Sequence, residues 1–298
     1  MDNTVISVDR LTKYYGRTVG VKDVSFAVER GEIFGFLGPN GAGKTTTIRL
    51  LLGLIRATSG TISVLGQPVP AGSLAARKRC GYLPGDFEGY AHLTAAEFLR
   101  FAAELRGAET PAQRELLEQF RFSQADLGRK IKHLSHGTRQ KLGIVQAFFH
   151  RPELAILDEP TGGLDPLMQE AFYELLRRAQ DDGCTVFFSS HVLPEVEKTC
   201  HRVAIIREGE VVALETLDAL KQRRFRRLSV TYREPVGRVE LPGATLVKQE
   251  GKLAEYLVEG EIAPLLQALS GLPVADIVFP EADLEEVFMA YYRRSERA

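Results

Sequence analysis

The chain has no tryptophan and only three cysteines, Cys80, Cys184 and Cys200, which lie far apart without a CxxC pair. That spacing argues against structural zinc and fits a reducing compartment, with the thiols read as small buried apolar side chains. No apolar run approaches the ~18 residues needed to span a bilayer. The start MDNTVISVDR carries an early acid and no apolar signal core, so a cytosolic chain is expected. Charge of either sign is not in excess: 38 Lys and Arg face 39 Asp and Glu, a formal net charge of -1. No general basic field exists to hold DNA or RNA, and no nucleic-acid partner is expected. Internal repeats and low-complexity tracts are also missing.

What is present suffices for a core: 298 residues, 44% of them hydrophobic, allow about two domains. The β-rich runs VSFAV (24–28), IFGFL (33–37), LAIL (154–157), TVFFSS (185–190) and RVAII (202–206) alternate with helical runs to about residue 215. This predicts an α/β fold, a sheet covered by helices. Thr94 and Glu97 form a capping box that opens a helix ending near Gly107. After LDALKQRRFRRL the character changes to SVTY, ATLVKQ, a turn at Glu250 and Gly251, LAEYLVE, a helix IAPLLQALS, a strand VADIVF and a last helix LEEVFMAYYRR. A small α+β domain is predicted, and at roughly 70 residues it is expected to pack on the first domain or on its own copy. The one basic run, Arg223, Arg224, Arg226 and Arg227, reads as a solvated interdomain face, with anionic lipid headgroups as the alternative.

GPNGAGKT, Gly38 to Thr45, satisfies the phosphate-loop pattern G-x-x-x-x-G-K-[ST] between a strand and a helical TTTIRLLLGL. A chance match is on the order of one in a hundred for such a chain. Backbone N–H groups freed by glycines would point into one cradle, and a helix N-terminus adds positive potential. Lys44 would hold the β- and γ-phosphates and the Thr45 hydroxyl would bind Mg²⁺. LAILDEP places Asp158 and Glu159 at the carboxyl end of an apolar strand, where α/β sheets bind ligands. Asp158 would hold Mg²⁺ through water, and Glu159 would orient and deprotonate an attacking water.

Together with TGGLDP (161–166), SSH (189–191) and YYG (14–16), these motifs resemble, in order and spacing, those of ABC transporter ATP-binding subunits. The resemblance runs from about residue 5 to 215. The extension and the ending LEEVFMAYY look like the ATPase subunits of multidrug or antibiotic exporters whose permease is a separate chain. It implies a P-loop ATPase domain, 1–222, with a helical subdomain at about 86–150, and a small domain, 223–298. It also implies an ATP site built from Tyr15, Gly38, Asn40, Gly41, Ala42, Gly43, Lys44, Thr45 and Thr46. Tyr15, which precedes the glycine, would stack on adenine, and His191 would contact the γ-phosphate and Glu159. Asp165 resembles the D-loop aspartate, and with Pro166 it is also an ideal helix cap.

LSHGT, Leu134 to Thr138, resembles the signature LSGGQ that closes the ATP site of the opposite subunit. Ser135 and Gly137 keep the positions of the principal contacts. His136 in place of glycine implies that no positive φ is needed there, and it adds a group with an unperturbed pKa of ~6.5; a helix is predicted from about Thr138. His133 and His136 stand three apart, but no third metal ligand is evident nearby. GYLPGD puts Gly85 where the family carries a glutamine that touches Mg²⁺ and senses the permease; Asp86 could supply an oxygen through water. The resemblance implies an ATPase using ATP and Mg²⁺, a homodimer or heterodimer, working on a separate transmembrane permease at the inner face of the cell membrane. Two other readings remain open: a nucleotide-gated regulatory or binding module with weak hydrolysis, and a soluble ATPase acting on ribosomes or DNA.

Overall fold

The computed structural model describes residues 3–107, 109–222, 225–259 and 262–279. In chain order the elements are β1 (Thr4–Tyr15), β2 (Thr18–Glu29), β3 (Ile33–Leu37), α1 (Lys44–Leu51), β4 (Ser59–Val64), β5 (Gln67–Val69), α2 (Ser73–Arg79) and β6 (Cys80–Leu83). Then come α3 (Ala95–Arg106), α4 (Gln113–Gln119), α5 (Gln124–Gly128), a single 3₁₀ turn at Ile131–His133, α6 (His136–Phe148), β7 (Leu154–Asp158), α7 (Pro166–Asp181), β8 (Thr185–Ser190) and α8 (Leu193–Thr199). The chain continues through β9 (Arg202–Arg207), β10 (Glu210–Thr216), α9 (Leu217–Gln222), β11 (Phe225–Tyr232), β12 (Ala244–Glu250), β13 (Leu253–Glu259), α10 (Ala263–Ser270) and β14 (Val274–Val278). The described residues divide into two compact units between Leu214 and Glu215. Among them no helix is long and apolar enough to cross a membrane.

Two sheets build the first unit. The inner one runs β10-β9-β3-β8-β7-β6, with β3 parallel to both β9 and β8, and β7 parallel to both β8 and β6. Every residue of β3, β7 and β8 is buried, which explains why these segments read as continuous apolar runs rather than alternating ones. The outer sheet, β2-β1-β4-β5, is antiparallel, and it holds VSFAV, which local sequence pattern alone groups with the inner strands. Gly16 and Arg17 alone separate β1 from β2, and so short a link permits only antiparallel pairing.

An aromatic cluster joins the two sheets. The Phe26 ring of β2 lies 5.7 Å from Phe34, 5.5 Å from Phe36 and 5.9 Å from Phe187. On the other side of β3, a Cβ at Gly35 would stand 2.9 Å from Cys200 Sγ and 3.0 Å from Val196, so glycine lets α8 approach the sheet. The capping box at α3 forms as its sequence predicts: Thr94 Oγ1 accepts from the Glu97 N–H and Glu97 Oε2 accepts from the Thr94 N–H. Gly107 ends that helix in the left-handed region.

The second unit is a four-stranded antiparallel sheet, β12-β13-β11-β14. One face buries Leu228, Val230, Tyr256 and Val258 against Leu265 and Leu269 of α10. The buried hydroxyls of Tyr232 and Tyr256 meet at 3.2 Å. Of the basic run, Arg223 and Arg224 lie outside the described residues, as does the helix predicted at LEEVFMAYYRR; Arg227 pairs with Glu255 at 2.8 Å.

Phe187 is fully buried where three other rings converge. Phe187→Ala is expected to lower the free energy of unfolding by about 3–5 kcal/mol, read as a fall in the urea midpoint. Burial pushes the thiols of Cys80 and Cys184 up to about 12 and raises that of Cys200 as well. The thiolate is the reactive form. No cysteine is therefore expected to react with an aromatic disulfide reagent at pH 8 until guanidinium unfolds the chain.

Candidate functional site

Parallel pairing sets three strand ends side by side, with Leu37 of β3 opposite Ser190 of β8, and Ser189 of β8 opposite Asp158 of β7. The loops leaving those ends carry the phosphate-loop motif, His191, and the acidic pair. Ligand sites form at this edge because successive loops there can face one crevice.

The phosphate loop is held open by glycines: Gly41 and Gly43 have φ of 81° and 109°. A Cβ on Gly43 would stand 2.7 Å from the Gly20 carbonyl, and one on Gly38 would stand 2.4 Å from that of Ile206. Lys44 opens α1 and folds back, its Nζ donating to the carbonyls of Gly38 at 2.6 Å and Pro39 at 3.1 Å. The same Nζ lies 3.0 Å from Glu159 Oε1. Oε1 is buried and has no aligned hydrogen bond, so the contact is one of opposite charges rather than a directed bond. Glu159 Oε2 lies 2.7 Å from His191 Nδ1. A carboxylate only accepts, which places the imidazole proton on Nδ1.

Glu159 itself has φ of 48°, a conformation that costs a non-glycine residue about 1–3 kcal/mol unless its surroundings impose it. They do impose it. Its N–H donates to the carbonyl and the hydroxyl of Ser189 at 3.2 and 3.1 Å. Gln140 Nε2, from α6, donates to the carbonyls of Glu159 and Pro160 at 3.3 and 2.9 Å.

Asp158 is 2% exposed and is held on both oxygens: Oδ2 accepts from Thr45 Oγ1 at 2.8 Å, and Oδ1 from Ser189 Oγ at 2.6 Å. A Cβ on Gly85 would lie 3.4 Å from Asp158 Oδ2, so a side chain at that position would start beside this acid. Asp86 is exposed. A hydroxyl and a carboxylate facing a phosphate cradle fit a small hard dication, which uses few protein oxygens and completes its shell from phosphate and water. Among the described residues, no group of three or more His, Cys, Asp or Glu side chains could hold a metal alone.

A cavity of about 290 Å³ runs from Tyr15, Val19 and Gly20 past Asn40, Gly41 and Gly43 to Lys44, Thr45, Thr46 and Glu159. Tyr15 is 46% exposed, its ring lies against Gly20, and Lys13 Nζ stands 5.3 Å from the ring centroid. Gly38 and Ala42 are buried beneath the cavity rather than lining it. Ser135, Gly137 and Asp165 do not line it either.

Ser135 and Gly137 lie at the start of α6, packed on the 161–166 loop that carries Asp165. Helix α6 begins at His136, two residues before the predicted start at Thr138, because Ser135 Oγ accepts the Thr138 N–H at 3.1 Å and is the N-cap. The Thr138 and Ser135 hydroxyls also meet at 2.8 Å. Gly137 lies against Gly163, where an added Cβ would be 2.5 Å from the carbonyl oxygen. The His136 ring covers Gly163, whose own φ is 75°; a Cβ there would stand 2.2 Å from the ring. His136 has no positive φ. Asp165 caps α7, Oδ1 accepting the Met168 N–H at 3.0 Å.

Ser189 and Gln140 were not among the residues singled out from sequence. Ser189 belongs to the SSH motif, but only register shows which of the two serines faces Asp158. Gln140 sits among ordinary helix-forming residues and carries no local signal.

Residues 21–162 match the ABC transporter family. The chain is 35% identical over 296 residues to the bacitracin transport ATP-binding protein BcrA of Bacillus licheniformis, covering 96% of this chain and 97% of that one. It is 44% identical over 209 residues to an uncharacterized ABC transporter ATP-binding protein of Nostoc, covering 68% of this chain and 62% of the relative. A solved ATP-binding subunit of an ABC transporter superposes with a TM-score of 0.68 at 35% identity, covering 74% of this chain and 92% of that one.

The packing of His136 on Gly163 is testable in pairs. Gly163→Ala is expected to destabilise the chain by about 1–3 kcal/mol through overpacking and backbone strain. In a His136→Gly background the cost should shrink, since the ring is gone and only the strain remains. Urea midpoints of the two single variants and the double variant give the comparison.

Proposed function

Because this chain belongs to the ABC transporter family, among its ATP-binding proteins, we propose that it hydrolyses ATP with Mg²⁺ as a dimer and thereby drives a separate membrane permease. The observation that carries the reading is that Lys44, Thr45 and Glu159 line one cavity, with His191 held to Glu159 and Asp158 held to Thr45. Phosphoryl transfer needs positioned charge more than covalent chemistry, and this set supplies positioned charge.

In the resting arrangement Lys44 neutralises Glu159 Oε1. Entry of the ATP phosphates gives Lys44 a stronger anionic partner, which releases Oε1 to accept a proton from water. The water oxygen then attacks the γ-phosphorus, the bond to the ADP oxygen breaks, and Glu159 takes the water's proton. His191 orients Glu159 and reaches the γ-phosphate. Thr45 and Asp158 would hold Mg²⁺, which supplies charge neutralisation on the phosphates. Tyr15 offers the exposed ring on which adenine would stack, a contact of the kind worth ~1–3 kcal/mol per base in nucleic-acid complexes.

Ser135, Gly137 and Asp165 line no part of this chain's own cavity, which suits a role in the site of a second copy, identical or unlike. If Thr138 Oγ1 donates to Ser135 Oγ, the Ser135 proton stays available for a phosphate oxygen, so LSHGT is competent. His136 would stand beside that phosphate and offer it a ring N–H donor. Gly85 removes a side chain that would begin next to Asp158; we read this as weakened metal contact at that position, with Asp86 acting through water as a substitute. We assign the nucleotide work to residues 1–222, with a helical subdomain at about 86–150, and the small domain to 223–298; the compact units among the described residues divide earlier, between Leu214 and Glu215. Similarity to a bacitracin transport protein over 96% of the chain supports export of a drug, antibiotic or lipid-like compound. The chain would then sit on the inner face of the cell membrane through its permease.

The test is MgATP turnover of the purified chain against its own concentration. Turnover is expected to rise faster than linearly with protein and to vanish in Lys44→Ala and Ser135→Ala. Nucleotide binding without turnover, even with the permease supplied, would favour the binding-module reading that Gly85 invites.

A further inference from the structure

Glu195, on α8, is 7% exposed, and among the described residues no lysine or arginine pairs with it. Its two side-chain oxygens accept from two buried hydroxyls. Thr161 Oγ1, at the head of TGGLDP, donates to Oε1 at 2.6 Å, and Ser190 Oγ, immediately before His191, donates to Oε2 at 2.8 Å. Ser190 Oγ in turn accepts the Val192 N–H at 2.9 Å, so the same chain of bonds clasps the backbone on both sides of His191. Thr161 is 6% exposed and Ser190 is fully buried.

A buried carboxylate held only by neutral hydroxyls is a poor stabilising device, since desolvating the charge costs more than two such bonds usually return. What it does supply is geometry. The Thr161 proton points at Glu195, and the Ser190 proton is drawn there by the shorter, charge-assisted contact over its alternative acceptor, the Val192 carbonyl at 3.3 Å, so a shift of either loop breaks a short bond. We propose that Glu195 is a positioning residue that ties the loop at 161–166 to the turn bearing His191, so that the two move together. The proposal rests on the ATPase reading only for its effect on rate. The mechanical tie stands without it.

Thr161 begins the segment that carries Gly163 and Asp165, and Gly163 is the glycine covered by His136. The tie therefore runs from the signature group, through this loop and Glu195, to the side chain that orients Glu159. A second copy that displaces the loop would thereby act on His191 through contiguous packed and hydrogen-bonded side chains.

Hydrogen exchange on the full-length chain, without nucleotide, reads the tie directly. Thr161→Val keeps the volume and removes the donor. It is expected to speed exchange of the Val192 amide, which Thr161 does not touch, and Thr161→Ser is expected to restore protection. In a Glu195→Leu background Thr161→Val should add nothing. Steady-state turnover reads the consequence: Glu195→Gln and Thr161→Val should each lower kcat about tenfold, as displaced rather than deleted catalytic groups do, with KM for ATP within about twofold. Glu195→Gln should also unfold at or above the wild-type temperature, because a buried charge is gone.

Unchanged Val192 exchange in Thr161→Val would overturn the tie, as would an equal effect of that change with and without Glu195. A loss of nucleotide binding and thermal stability in step with kcat would reduce Glu195 to a structural residue and overturn the positioning role. If the wild-type chain shows no turnover under any condition, the ATPase reading has failed, and the exchange measurement alone decides this proposal.

Discussion

The pairing of β3 with β8 and of β8 with β7 is the constraint on which the site depends. In this register Leu37 pairs with Ser190 and Ser189 with Asp158, and Leu37, Ser190 and Asp158 are each followed by a segment of the site: the phosphate loop, His191 and Glu159. A slip of one residue in β8 would turn Ser189 away from Asp158 and Ser190 away from Glu195. The strands resist such a slip because they are buried on both faces, so any shift would also unseat the aromatic cluster around Phe187. Rigidity at the sheet edge is what allows the loops above it to be both strained and precise.

Strain is visible at Glu159, whose left-handed backbone is held by Ser189 on one side and Gln140 on the other. Its side chain is shared between Lys44 and His191. Without nucleotide, the phosphate-loop lysine is thus paired with the acid proposed to take the water's proton, and each masks the other. On the proposed reading, a polyanion would resolve the pair by offering Lys44 more charge than one carboxylate can. That switch would need no large movement, because Lys44 already folds back over the phosphate loop.

Two departures from the family pattern have different physical standing. At LSHGT the added histidine is accommodated by a compensating glycine: the ring occupies the space a side chain at Gly163 would need. At GYLPGD no side chain extends from Gly85, where an added Cβ would be in ordinary contact with Asp158, and the neighbouring Asp86 is exposed. The first departure has been absorbed into the packing, whereas the second is the one proposed to weaken a metal contact.

Much was legible in the amino-acid sequence because some features are local. A phosphate loop needs its glycines and lysine in a fixed spacing, a capping box needs Thr94 and Glu97 three apart, and a fully buried strand must be apolar throughout. These rules mark the strands, the capped helix and Lys44, Thr45, Asp158 and Glu159 as candidates from local sequence alone. Tertiary structure alone decided what depends on residues far apart in the chain. Register chose which serine meets Asp158, the tight turn at Gly16 and Arg17 sent VSFAV into a separate antiparallel sheet, and the Ser135 cap moved the start of α6 to His136. Glu195 had no signature at all, because a glutamate on a short helix becomes distinctive only when folding buries it between two hydroxyls, 34 residues away in one case and five in the other.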